Sequence, residues 1–374
     1  MILILSNSLA NGGGERVSAN IANYLSKNNQ VVFFTLEEKI TYQLNPSIKI
    51  INLNRCRFGK FFDLLYQAYQ LSKFIKKNNI SFVQSHLYRS NFINIISKFI
   101  FKSKHFCQIV NHGDPYQYLK KGIFGRCNFQ LIKFLYPKSN EIIVISKKME
   151  ETISNLINKD NNLIIRTVNN PYMVNDIIYL SNKKIDVSFY LPNRYIVTMG
   201  RVIKSKNFDL LIKVIKASSL PLVIIGDGPY LNKLKNLARE LNVTSKIYFV
   251  GNLKNPFPIL KNAVFYVGAS ESEGFPNAII ESLACSLPVV HSDCVSGPRE
   301  ILQPCSSPLF IMTSNYFEIT PYGILYTTNN IHSLMNSIKF LIKNPIVLDS
   351  MRRNCLSRAL DFDADNIINQ YFSK

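Results

Sequence analysis

The sequence predicts an α/β protein of two doubly wound domains. Short all-apolar runs recur as candidate strands, amphipathic stretches at helical spacing lie between them, and the alternation starts twice, at Met1 and again near Tyr195. Apolar strands that alternate with helices imply parallel sheets buried on both faces. A chain of 374 residues is also too long for one ordinary core.

The opening MILIL is a short strand; it has no basic n-region and too short an apolar run for a signal peptide. NGGGERVSANIANYLSKNN follows, with Val17, Ile21, Tyr24 and Leu25 at helical spacing, so the glycines end a strand and open a helix. VVFFTL (31–36), ISFVQSHL (80–87), HFCQIVNHGD (105–114) and NEIIVIS (140–146) continue the first set of strands. The second set reads YIVTMG (195–200), LVIIGDG (222–228), IYFVG (247–251), AVFYVGAS (263–270) and LPVVHSD (287–293). Helical stripes lie between these, for example Phe208, Leu211, Ile212, Ile215 and then Leu231, Leu234, Leu237, Leu241. The polar stretch 180–194 marks the seam, giving domains 1–183 and 184–356 and a terminal helix within 357–374. Open α/β sheets bind ligands outside the carboxyl ends of their strands. Two facing domains would therefore make one deep cleft.

Apolar residues make up 47% of the chain and charged residues 18%, which is globular composition. No apolar run approaches the roughly 18–20 residues of a spanning helix. Seven scattered cysteines without a C-x-x-C argue against a disulfide framework or zinc site, and fit inert buried thiols in a reducing cytoplasm. The net charge of +20 is uneven: residues 1–185 carry 25 Lys/Arg against 10 Asp/Glu, and residues 186–374 carry 19 against 14. The first half is thus suited to an anionic partner, whether nucleic acid, a phospholipid surface or a phosphorylated ligand. Segments 57–79 and 116–138 mix aromatics and aliphatics with Lys/Arg. That composition fits an interfacial helix, or a helix with a core face and a solvated basic face. The charge imbalance favours the membrane surface, and no recognised nucleic-acid motif appears.

SESEGFPNAIIESLACSLPVV (270–290) places Glu273 and Glu281 eight residues apart around a Gly-Phe-Pro turn. The pair is open to four readings: an acid/base dyad, metal ligands, helix-capping charges, or hooks for a polyhydroxylated ligand. Pro276 suits a first helical position and Gly274 lets the backbone approach a ligand. Free N–H groups and the dipole at that helix start would favour an anion. A carboxylate emerging from so apolar a helix should reach for hydroxyls or a cation. Arg201 and Lys206, in GRVIKSKN, would sit in a loop at a strand's carboxyl end, where cations can neutralise a diphosphate. Gly12 and Gly13 form a turn that either simply joins strand to helix or lets amides approach a phosphate; it is neither G-x-G-x-x-G nor a P-loop. His112 ends a strand beside Gly113, and His86 has a similar but weaker position. Asp361, Asp363 and Asp365 do not form an EF-hand, since Asn366 and Phe372 stand where Gly and Glu are required, and are expected to cap the terminal helix. No metal is expected.

As an ordered set, these residues resemble the family 4 retaining glycosyltransferases, which have the GT-B fold of two Rossmann-like domains and an E-x7-E motif. Here that motif is Glu273 to Glu281. The resemblance runs nearly full length through GGGERVSANIANYLSK, SHLYRSN, NHG, NNP, GRVIKSKNFDLLI, VIIGDGP, YFVGNLKN and SGPREIL. It implies that Glu273 contacts donor-sugar hydroxyls with Gly274, Phe275, Pro276 and Asn277 nearby, and that Glu281 binds the ribose. It further implies that Arg201 and Lys206 stabilise the leaving diphosphate, on which Gly12 and Gly13 close. His112 would face sugar and acceptor, and Gly251 and Asn252 would hold the base. Asn207 and Ser286 depart from the family in standing where glycine is usual. The terminal helix is expected to cross back to the first domain.

The implied activity is metal-independent, cofactor-free transfer of a hexose or N-acetylhexosamine from a nucleotide-sugar, UDP-linked before GDP-linked. The implied acceptor is a lipid-linked saccharide of O-antigen, capsule or other lipopolysaccharide and polysaccharide biosynthesis. The protein would then be a cytoplasmic, peripheral one on the anionic inner face of the plasma membrane. Retention is expected through same-face attack assisted by the leaving phosphate, because a retaining dyad needs its carboxylates about 5–5.5 Å apart and the second is assigned to the ribose. A nucleotide-sugar epimerase or a phosphorylase on a similar scaffold is the alternative, and a nucleic-acid binder a remote one.

Overall fold

The computed structural model describes residues 1–10, 12–56, 59–157, 163–185, 189–310, 312–313 and 315–373. The chain forms two compact units, Met1–Tyr172 with Ala364–Lys374, and Met173–Asp363.

The first unit runs β1 (Ile2–Ser6), α1 (Gly13–Leu25), β2 (Val31–Thr35), β3 (Lys49–Asn52), α2 (Lys60–Lys77), β4 (Phe82–His86) and α3 (Tyr88–Phe99). It continues through β5 (Phe106–Asn111), α4 (Gly122–Leu135), β6 (Glu141–Val144), α5 (Lys147–Leu156) and β7 (Ile164–Thr167). Its seven strands pair in the order β3-β2-β1-β4-β5-β6-β7, all parallel. Leu3, Ile4 and Leu5 of β1 are fully buried, as are Ile21 and Ala22 on the inner stripe of α1. Each such large side chain contributes about 1.5–3 kcal/mol by leaving water. The chain steps outward from β1 to β3 and returns to β4, so β1 and β4 flank the point where strand order reverses.

The second unit opens with α6 (Val174–Ser181), then β8 (Ile196–Met199), α7 (Phe208–Ile215), β9 (Leu222–Ile225), α8 (Leu231–Glu240), β10 (Ile247–Gly251) and α9 (Phe257–Lys261). It goes on to β11 (Tyr266–Gly268), α10 (Asn277–Ala284), β12 (Val289–Ser292), α11 (Pro298–Leu302), β13 (Phe317–Thr320), β14 (Gly323–Tyr326), α12 (Ile331–Lys343) and α13 (Pro345–Leu360). The strand order is β10-β9-β8-β11-β12-β14-β13, parallel except for β13, which pairs antiparallel with β14 at the edge. Here the reversal lies between β8 and β11. The core unites Ile196, Leu211, Ile224, Phe265, Val267, Val290, Leu334 and Ile338.

The expected boundaries at 183/184 and 356/357 move to 172/173 and 363/364. α6 packs on α9 and α10, so the polar stretch after it is a loop inside the second unit, of which 186–188 lie outside the described residues. α14 (Ala364–Phe372) belongs to the first unit, where it packs on α1 and Phe372 lies against Phe82. Of the three acids expected to cap it, Asp361 pairs with Arg358, Asp363 directly precedes the helix and also accepts the Val174 N–H at the start of α6, and Asp365 lies in the first turn. Segment 116–138 is not one helix, because Gly122 adopts a left-handed φ of +67° and separates a 3-10 turn from α4. Arg57 and Phe58 of segment 57–79 lie outside the described residues. The thiols are only partly as expected, since Cys127 and Cys305 are exposed and Cys56 is half-buried.

Candidate functional site

In the second unit, the loops after β8 and β11 meet at the reversal point. The Glu271 N–H donates to the Ser205 carbonyl at 2.9 Å, tying the two loops backbone to backbone. Lys206 Nζ then lies 2.5 Å from Glu273 Oε1. Burial of Glu273 opposes its ionisation, but the Lys206 ammonium and hydrogen bonds from Lys206 and Ser270 prevail and hold its pKa below the usual carboxylate value. Glu273 is therefore an acceptor and a fixed negative charge at neutral pH, and a poor proton donor. Arg201, two residues beyond β8, is exposed and has no ion-pair partner among the described residues. Both cations thus lie in the loop after β8, Lys206 fixed by Glu273 and Arg201 exposed.

The turn 273–277 is held from behind. Ser296 Oγ donates to the Gly274 carbonyl at 2.9 Å, and the Glu273 N–H points to the Val295 carbonyl at 3.4 Å. Gly297 sits at φ +94°, and a Cβ there would lie 2.4 Å from Pro276, so only glycine lets this brace approach. Behind it, buried Arg299 grips Asp293 with Nε at 3.0 Å and Nη2 at 2.8 Å, and reaches Glu318 at 2.8 Å. Phe275 turns its ring inward, edge-on to Phe362 at 5.5 Å. Only its backbone is left for the donor role expected of it. Pro276 precedes α10 as its N-cap, not its first helical residue, and Asn277 begins the helix. Glu281, five positions into α10, is 3% exposed, which rules out a solvated face. Buried His291 lies under Gly268, and burial keeps its pKa low despite nearby Glu273. Gly251 ends β10 at φ +70° where the pairing with β9 shifts register, and its carbonyl accepts the Gly226 N–H at 2.8 Å; Asn252 beside it is exposed.

In the first unit, Gly12 precedes α1 and Gly13 begins it, with Gly13 exposed. A Cβ on Gly12 would lie 2.1 Å from the Glu15 carboxylate, so an acidic group stands beside this turn. Gly14 is the close-approach glycine, since a Cβ on it would come within 3.2 Å of the His112 ring. His112 Nε2 lies 2.9 Å from His86 Nδ1, and burial lowers the pKa of His112 to about 4 and that of His86 well below its ordinary value. The sequence pointed to His112 and more weakly to His86. It did not mark Gln84, Gln108 or Glu141, which stand beside them on neighbouring strands; the signal available was their polarity inside apolar strands. Among the described residues no group of three or more His, Cys, Asp or Glu side chains could hold a metal ion.

Two family descriptions cover most of the chain: Glycosyltransferase Family 4 matches residues 11–166, and Glycosyl transferases group 1 matches residues 182–359. The chain is a family 4 glycosyltransferase. Among curated proteins, this glycosyltransferase is 29% identical over 365 residues to the Campylobacter jejuni N-acetylgalactosamine-N,N'-diacetylbacillosaminyl-diphospho-undecaprenol 4-alpha-N-acetylgalactosaminyltransferase, covering 95% of this chain and 94% of that one. It is 36% identical over 87 residues to the Escherichia coli lipopolysaccharide 1,6-galactosyltransferase, 22% of this chain and 24% of that one. Among solved structures, the sucrose-phosphate synthase of Thermosynechococcus elongatus superposes with TM-score 0.79 at 16% identity, covering 99% and 97% of the two chains. Anabaena HepE in complex with UDP and glucose gives 0.76 at 16% identity with the same coverage. The glycosyltransferase therefore has the GT-B fold, with two parallel-sheet Rossmann-like units.

Proposed function

We infer that this glycosyltransferase moves a hexose or N-acetylhexosamine, with retention, from a nucleotide-sugar to a lipid-linked saccharide in bacterial surface-glycan assembly. The observation that carries the donor assignment is the cluster at the β8/β11 reversal: exposed Arg201, without an ion-pair partner among the described residues, the Lys206–Glu273 pair and the start of α10. Departure of a nucleoside diphosphate develops negative charge, which fixed cations and a helix start stabilise without reorganising. Arg201 and Lys206 take the diphosphate; Gly274, Phe275, Pro276 and Asn277 supply backbone beside it. Ionised Glu273 accepts from sugar hydroxyls and opposes the positive charge that builds at the reacting carbon. Glu281 binds ribose hydroxyls, and Gly251 with Asn252 holds the base. In the first unit, Gly12 and Gly13 approach the diphosphate and His112 contacts the sugar.

Retention follows from attack on the face the diphosphate leaves, with a phosphate oxygen accepting the acceptor's proton. The cations carry the charge and no divalent metal is assigned. UDP is the preferred nucleotide, in line with the UDP held by the HepE structures, and the Campylobacter relative is named for a diphospho-undecaprenol-linked saccharide. The first unit adds an anionic membrane surface as partner, supported by its charge and its exposed aromatics.

The test is a screen of UDP- and GDP-sugars read by nucleoside-diphosphate release, with and without lipid-linked saccharides, in buffer containing EDTA. Acceptor-dependent release that survives EDTA is expected. Epimer formed without acceptor, or phosphate-dependent breakdown of a saccharide, would replace the transfer assignment.

A further inference from the structure

A row of buried polar side chains crosses the sheet of the first unit. Gln84 of β4 pairs in register with Gln108 of β5, and Gln108 with Glu141 of β6, so the three stand side by side. At one end the Glu141 carboxylate is bound by Arg166, Nε to Oε1 at 2.5 Å. Arg166 also donates from Nη1 to the Gln370 carbonyl at 2.5 Å, which ties α14 to the row. At the other end is His86, two residues along β4 from Gln84, in contact with His112.

The hydrogens in this row are fixed by its acceptors. Gln108 Nε2 faces Glu141 Oε2 at 2.6 Å and the Tyr371 carbonyl at 2.7 Å, and both oxygens only accept. Gln108 Oε1 therefore faces Gln84, whose Nε2 donates to it at 2.6 Å. That turns Gln84 Oε1 toward His86 Nε2 at 3.0 Å, so His86 carries its proton on Nε2. Burial keeps both histidines neutral, with one N–H each. His86 Nδ1 is then a lone pair, and the hydrogen in the 2.9 Å contact belongs to His112 Nε2. His112 Nδ1 is left as a lone pair with no hydrogen-bond partner among the described residues.

We propose that Glu141, Gln108, Gln84 and His86 form a relay that sets the tautomer of His112, presenting its Nδ1 as an acceptor for a sugar hydroxyl. The four are positioning residues, and the assignment rests on His112 contacting the sugar. A reversed relay would present an N–H instead, which a hydroxyl oxygen can accept but which no longer selects for an O–H donor.

Long-range proton–nitrogen correlation spectra of the 15N-labelled full-length protein read the tautomer directly, with the His112 signal identified by its loss in His112→Gln. The wild type should show His112 neutral and protonated on Nε2. Glu141→Gln supplies an amide that can donate toward Gln108 and leaves the Tyr371 carbonyl as the one acceptor opposing a turned Gln108, so part of the His112 proton population should move toward Nδ1. Gln84→Met cuts the row without touching the Arg166 contacts to α14 and should give a mixture of tautomers. Transfer should fall about 10–100-fold in kcat in both, with a smaller change in the donor KM. A wild-type His112 protonated on Nδ1, or an unchanged tautomer in both variants, overturns the relay. A moved tautomer with undiminished transfer upholds the relay and overturns the contact of His112 with sugar.

Discussion

Ser286 and Asn207 occupy left-handed backbone at φ +55° and +50°, which gives a physical reason for glycine being usual there in the family. Ser286 closes α10 in a Schellman arrangement: its N–H donates to the Leu283 carbonyl and the Leu287 N–H to the Ser282 carbonyl, both at 2.9 Å. A serine Cβ is strained in that conformation, whereas asparagine tolerates it. Asn207 also donates from Nδ2 to Asn329 Oδ1 at 2.8 Å. Ser286→Gly should therefore raise the unfolding free energy by about 0.5–1 kcal/mol, and Asn207→Gly should leave it level or lower it. Urea titrations of the two variants check this, and a stabilising Asn207→Gly beside a neutral Ser286→Gly would contradict it. The two glutamates of 273–281 were legible as residues, but four readings stood open because sequence does not show partners. Lys206 beside Glu273 and the low exposure of Glu281 narrow them.

Element by element, strands were the most legible part, since buried parallel strands read as apolar runs. β10 spans the expected Ile247–Gly251, whereas β11 keeps only Tyr266–Gly268 of an expected eight residues, because sheet pairing ends where the site loops begin. α2 and α4 carry the surface that composition marked. Phe61 and Phe62 on α2 are 64% and 56% exposed, and Ile123 and Phe124 on α4 are 79% and 75% exposed. Phe134 is also exposed, with the Lys138 ammonium 5.1 Å from its ring centre. Apolar side chains standing out of a basic surface suit the headgroup boundary of an anionic bilayer. Replacing Phe61, Phe62, Ile123 and Phe124 together with serine should weaken binding to anionic vesicles by at least about tenfold. Wild-type binding should also fall as salt rises. Co-sedimentation with vesicles reads both, and variant binding equal to wild type would remove these elements from the membrane contact.

For the whole molecule, the repeated alternation of strand and helix was enough to give two doubly wound units. The residues at which the chain passes between them were not legible, although the family resemblance implies the return of the terminal helix to the first domain. α6 belongs to the second unit through its contacts with α9 and α10, and α14 returns to the first through Gln370, Tyr371 and Phe372. Such long-range contacts leave no periodic mark in the sequence. The same holds for the row from Glu141 to His112, which depends on strand register. The central claim is that Glu273, held ionised beside Lys206, acts at the sugar of a nucleotide donor. Acceptor-dependent nucleoside-diphosphate release by Glu273→Gln tests it most directly. Turnover should fall by about 100-fold or more with the unfolding midpoint unchanged, and turnover equal to wild type would contradict the assignment.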